Sequence, residues 1–193
     1  MRTLIIDTAT RACSVALFED GNILGHVHEL IGRGHAEKLL PFIESLPGKG
    51  RADEIYVNVG PGSFTGIRVG VAAAKALAFA WSAPCHGYNC LGLIAAMAKD
   101  ESPDNGDDVD VAMTGGHGEY YFQKFSDARP AGPPISLKPE IAATQSEAPI
   151  VAGDMATDIV RMRGNGRAVA ILPDSRCWPS IAGQDPLPPS PLY

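Results

Sequence analysis

The chain has 193 residues, 45% hydrophobic and 20% charged, enough to bury a core as one domain or as two small lobes. Sixteen Lys and Arg against twenty-two Asp and Glu give a formal charge of -6, the wrong sign for a protein that grips a phosphate backbone unaided. Charges at Arg2 and Asp7 argue against a signal peptide, and the most apolar stretch, 69–84, is broken by Lys75 and falls short of the ~20 residues of a membrane span, so a cytoplasmic chain with no membrane contact is expected.

Residues 3–7 form a short apolar run ending in Asp7, and 13–18 form a second run before Glu19-Asp20-Gly21-Asn22. Asp-Gly between apolar runs signals a hairpin, because glycine tolerates the positive φ of a tight turn. A third strand over 23–30 completes a meander. The period then changes: Ala36, Leu39, Leu40, Ile43 and Leu46 fall at helical spacing, with Pro41 inside the helix as an expected kink or delayed start. A β-branched and aromatic run over 54–59 reads as a buried strand. Ser63 is placed to N-cap a long helix through Trp81, stopped by Pro84, and a strand over 85–88 and a helix over 89–98 follow.

The acidic, turn-forming run from Lys99 to Asp108 is the expected boundary between an N-terminal lobe at 1–100 and a smaller C-terminal lobe at 107–193. Beyond it, 109–113 and 119–125 read as two strands, and 185–191 reads as a proline-rich extended tail. Three strands, helix, strand, helix, strand, helix is the order of the α/β ribonuclease-H-like lobe found in actin-like ATPases (the ASKHA fold), here with a reduced second lobe.

Gly60-Pro61-Gly62-Ser63-Phe64-Thr65-Gly66-Ile67-Arg68 is the strongest local signal. A glycine-rich turn at a helix N-terminus offers unpaired N–H groups and the positive end of a dipole, an anion site in principle. Neither the lysine of a phosphate-binding loop nor a G-x-G-x-x-G spacing is present, so a tight turn with close packing competes with nucleotide binding. Candidate nucleotide contacts are Asp7 and Thr8 at the end of the first strand, with Gly60, Gly62, Ser63 and Thr65; for Asp7 the alternative is an Asx turn. His26, His28, His35 and His117 lack metal-ligand spacing, no catalytic triad can be assembled, and Cys13, Cys85, Cys90 and Cys177 match no common zinc or redox motif. No catalytic residue, metal or cofactor is therefore expected. The helix from Ser63 to Trp81 carries only Arg68 and Lys75 as charges, so it needs cover on more than one side, from a partner or from the chain itself.

Ile6-Asp7-Thr8-Ala9-Thr10, the segment His35-Ala36-Glu37-Lys38-Leu39-Leu40-Pro41 and above all Gly60 to Gly70 closely resemble the bacterial TsaB (YeaZ) family over about the first hundred residues, continuing through Gly118-Glu119-Tyr120-Tyr121. The resemblance implies a non-catalytic subunit. It would pair with a TsaD-like catalytic subunit and a TsaE-like ATPase in the transfer of threonylcarbamoyl to the adenosine next to the anticodon of tRNA. It implies a homodimer in the absence of the partner, and only indirect contact with tRNA. The first two helices form the family's pairing surface, which places Leu39, Ile43, Ile67, Gly70, Val71, Ala74, Leu77 and Ala78 at the expected interface. A large charged residue at Gly70 or Ala74 is expected to block pairing without unfolding the chain. Relatives commonly carry Asp-Ala-Arg where this chain has Thr114-Gly115-Gly116, and they run on past its last residue. A stand-alone ATP-dependent phosphotransferase of the same fold, built on Asp7, Thr8 and the Gly60–Gly66 turn, is the competing expectation. A metallopeptidase would need a ligand set that the sequence lacks.

Overall fold

The computed structural model describes residues 1–101, 108–127 and 129–192. By their contacts the residues form two units, Met1–Cys90 with Pro173–Tyr193, and Leu91–Leu172.

In the first unit, β1 (Arg2–Asp7) and β2 (Ala12–Glu19) pair antiparallel, and β2 pairs with β3 (Asn22–Leu30) through a turn in which Asp20 and Gly21 both take positive φ. After α1 (His35–Ser45), β4 (Glu54–Asn58) joins β1 in parallel, and after α2 (Phe64–Trp81), β5 (Cys85–Tyr88) joins β4 in parallel. The sheet order is β3-β2-β1-β4-β5, as the expected ribonuclease-H-like order requires. Alternation puts Leu4, Ile6, Cys13, Val15, Leu17, Ile55 and Val57 on one face, where α1 and α2 cover them. The helix α1 runs through Pro41 without interruption. Pro41 lies on its exposed side, where the ring avoids the core.

In the second unit, α3 (Cys90–Asp100) precedes β6 (Asp108–Thr114), β7 (Tyr120–Ser126), β8 (Arg129–Pro130), β9 (Ile135–Leu137), α4 (Pro139–Gln145), β10 (Ile150–Ala152), α5 (Ala156–Arg163) and β11 (Arg167–Val169). The sheet runs β11-β10-β6-β7-β8, with β9 also on β7. Its core joins Phe122 and Val151 to Ala142, Ala156 and Ile159 of the two short helices. These short elements carry too few residues to show a period, so the sequence beyond 126 showed none.

This division departs from the expected 1–100 and 107–193 at two places. The helix α3 groups with the second unit, and 173–193 returns to the first. The acidic run taken as the boundary falls largely on 102–107, outside the described residues. The proline-rich segment packs on the first unit as a strap. Leu187 exchanges backbone hydrogen bonds with Gly87 on β5, Leu192 N–H donates to Val59 O, and a 3-10 segment, Ser175–Ile181, lies across the sheet face opposite α1 and α2.

Candidate functional site

The first candidate site is the turn between β4 and α2. Ser63 caps α2 as expected: its Oγ accepts from Gly66 N–H at 3.2 Å, and its own N–H donates to Ala9 O at 2.7 Å. The glycines bring this turn against the end of β1. A Cβ on Gly62 would lie 2.2 Å from Ala9 O, and one on Gly66 2.1 Å from Thr8 O, closer than atoms can approach. Thr8 is fully buried and its Oγ1 donates to Gly66 O at 2.7 Å, while Gly60 holds a φ of 114° that suits glycine.

Asp7 is also enclosed. Its Oδ1 accepts from Ala9 N–H at 3.2 Å, the Asx turn that the sequence offered as an alternative. Its Oδ2 accepts from Asn58 Nδ2 at 2.7 Å and from the Tyr88 hydroxyl at 2.9 Å. Burial pushes its carboxyl up to about 7, against the opposing pull of the Tyr88, Ala9 and Asn58 hydrogen bonds. The candidate nucleotide contacts are thus neighbours, but Asp7 spends its polar groups on Ala9, Asn58 and Tyr88, Thr8 its hydroxyl on Gly66, and Gly62 its missing side chain on the approach to Ala9. Ser63 and Thr65 instead line a separate cavity of about 450 Å³, together with the first turn of α1 from Gly34 to Glu37. Among the described residues no three His, Cys, Asp or Glu side chains gather as metal ligands, and burial drives the Cys13 thiol up to about 12, where it is inert.

The second candidate site is the outer face of α2. With 18 residues of mean hydropathy 1.2, this helix has the length and composition of a membrane span, yet it packs on the sheet through Gly66, Ile67, Gly70, Val71, Ala74 and Ala78. The interface residues expected from the sequence are not on the open surface of this unit. Leu39, Ile43, Ile67, Gly70, Val71, Ala74 and Ala78 are buried in the unit's own core, and Leu77 is packed against it. A helix layered on a sheet turns its bulkiest apolar stripe inward, so that stripe is already occupied. Gly70 and Ala74 cannot take a large charged residue either: a Cβ on Gly70 would sit 2.3 Å from Thr8 Oγ1, and Ala74 has no exposed surface.

What α2 presents outward is Phe64, Thr65, Arg68, Ala72, Lys75, Ala76, Phe79 and Ala80. Phe79 is 90% exposed and Phe64, with the Arg68 guanidinium 3.4 Å from its ring centre, 57%. The adjacent α1 adds Leu40, 52% exposed. The signal for this face was in the sequence: Phe79 lies about 120° from Ile67 around the helix, off the stripe that the sheet takes.

The family described as TsaD, tRNA N6-adenosine threonylcarbamoyltransferase, matches residues 21–135, more than half of the chain. The solved structure of YeaZ from Pseudomonas aeruginosa superposes at a TM-score of 0.84 with 29% identity, covering 100% of this chain and 99% of that one. The chain belongs to this family, as a TsaB (YeaZ) member. The tRNA threonylcarbamoyladenosine biosynthesis protein TsaB of Escherichia coli is 37% identical over 131 residues, 65% of this chain and 55% of that protein. The namesake from Haemophilus influenzae is 35% identical over 126 residues, 63% and 52%. The chain therefore spans about half the length of the curated TsaB relatives that it matches. EutJ of Carboxydothermus hydrogenoformans shares the fold at a TM-score of 0.55 and 10% identity. The ribonuclease-H-like, actin-like ATPase fold expected from the element order is the fold of the chain.

Three further groups of residues do not form a site. His35 is buried at the start of α1, with Nε2 3.2 Å from Ala12 O. His117 is exposed in a short 3-10 turn at a φ of 55°. Arg161 pairs with Asp158, and Arg163 is used by Ser146, Ala148 and Asn165, so two of the basic side chains on and after α5 are tied down locally.

Proposed function

We propose that the chain is a non-catalytic subunit in the synthesis of threonylcarbamoyladenosine in tRNA, and that it pairs with a TsaD-like subunit through the outer face of α2 and the neighbouring part of α1. Membership of the TsaD family and the names of the TsaB relatives support the pathway. The observation that carries the mode of action is the α2 face: Phe79 and Phe64 are exposed there, and beside them Ala72 and Ala76 are small enough for a second helix to approach, with Arg68 and Lys75 on the same face. The enclosure of Asp7 and Thr8 supports a scaffold over a phosphotransferase, since neither side chain is aimed at a ligand.

A TsaE-like ATPase completes the assembly, and the same helical face serves a homodimer when the partner is missing. With a formal charge of -6, the chain meets tRNA only through its partners.

Co-purification and calorimetry with a TsaD-like subunit test this function. Phe79→Asp and Ala76→Glu should leave a folded chain that no longer binds the partner, and the wild type should give no heat with Mg-ATP. Retained partner binding by both variants would move the interface elsewhere. Tight Mg-ATP binding without partner binding would favour the phosphotransferase.

A further inference from the structure

The sheet of the first unit has a second face, turned away from α1 and α2. Along it runs a row of polar side chains, one from each strand. Ser14 on β2 is the cross-strand partner of both Asp7 on β1 and His28 on β3. Asn58 on β4 donates to Asp7 and is the cross-strand partner of Tyr88 on β5, which also donates to Asp7. The row His28–Ser14–Asp7–Asn58–Tyr88 thus crosses all five strands.

The strap closes over this row with its first turn. Ser175 N–H donates to Ser14 Oγ at 2.9 Å, Asp174 Oδ2 stands 3.7 Å from His28 Nδ1, and Arg176 binds the Asp174 carboxylate through Nε and Nη2. Beyond that turn, Trp178 lies on Tyr56, with ring centres 4.6 Å apart.

Under this closure Asp7 is 1% exposed, with three neutral donors and no cation among its hydrogen-bond partners. A carboxylate sealed among neutral partners resists ionisation, and opening the seal to water restores its ordinary acidity. The other titratable groups around it do not supply a countercharge. The Cys13 thiol and the Tyr88 phenol are held protonated by burial, and the strap contributes the negative Asp174, whose charge is already matched by Arg176 with His28 alongside. His28 Nδ1 is itself buried without a hydrogen-bond partner, so the join between strap and row is incomplete at that end.

We propose that the polar row and the first turn of the strap form a proton-operated latch, in which the strap docks firmly while Asp7 holds its proton and loosens when Asp7 ionises. The sign follows from linkage. Asp7 binds its proton more tightly under the docked strap than when hydrated, so docking is strongest below the ordinary carboxyl range near 4. It weakens as pH rises toward about 7, and above that it changes no further.

Site-resolved hydrogen exchange on the full chain between pH 5 and 7 tests the latch. The protection of the Ser175 and Cys177 amides, taken relative to the Ile5 and Leu17 amides of the same sheet, should fall roughly tenfold or more across that range. In Asp7→Asn the same ratio should stay flat. A wild-type ratio that does not change with pH would overturn the latch even if Asp7→Asn fails to fold. So would a strap that loses protection only in parallel with β1 and β2, or a slope that persists in Asp7→Asn.

Discussion

Glycine at 62 and 66 is a steric requirement, because each added Cβ would collide with a backbone carbonyl of the β1–β2 loop rather than with a side chain that could swing away. Gly66→Ala should therefore lower stability by about 2–4 kcal/mol in urea unfolding, since either the α2 N-terminus or the loop must move. Gly116→Ala, where nothing lies within 4 Å of the added carbon, should change it by no more than about 0.5 kcal/mol. At this scale the sequence was legible where partners are local: the Asx turn of Asp7 reaches two residues and the Ser63 cap three. It was silent on the partners that enclose Asp7, because Asn58 and Tyr88 lie 51 and 81 residues away and come into reach only once β4 and β5 join the sheet.

In the helices, the apolar pattern legible in the sequence is taken up by the chain's own sheet. Ile67, Val71, Ala74 and Ala78 mark a real stripe, but the sheet takes it, and what remains for a partner is the sparser face around Ala76 and Phe79. Ala74→Glu should accordingly bury an unpaired carboxylate and cost about 3–5 kcal/mol in unfolding free energy. Ala76→Glu, one-half turn away on the exposed face, should stay within about 0.5 kcal/mol of the wild type. Pro41 gives the helix α1 a second test. As the seventh of eleven helical residues it deprives the helix of one interior hydrogen bond, and its exposed position leaves no packing to lose. Pro41→Ala should raise the unfolding free energy by about 1–3 kcal/mol, and a loss of stability instead would mean that the ring supports the turn into the following 3-10 segment.

For the whole molecule, the consequential feature is that the first unit is built from both ends of the described chain. Its sheet is covered by α1 and α2 on one side and by the strap on the other, where Ile5, Ala16 and Phe18 are buried on the strap's side of the sheet. The proline content of 185–191 suggested an extended tail, and extended it is, but prolines leave few N–H groups, and those of Leu187 and Ser190 are used. Leu187 N–H reaches Gly87 O, Ser190 N–H turns back to Pro188 O, and Leu192 N–H reaches Val59 O. Such a segment has no helical or strand period to betray its docking surface, which is why composition alone could not place it. Trp178 provides the handle, since its ring meets both Tyr56 and Phe18 from the strap. Trp178→Ala should lower stability by about 2–4 kcal/mol and raise proteolytic cleavage within 175–192, with cleavage of 108–127 in the second unit unchanged. An equal rise in cleavage of both units would mean that the strap stabilises the whole chain rather than the sheet it covers.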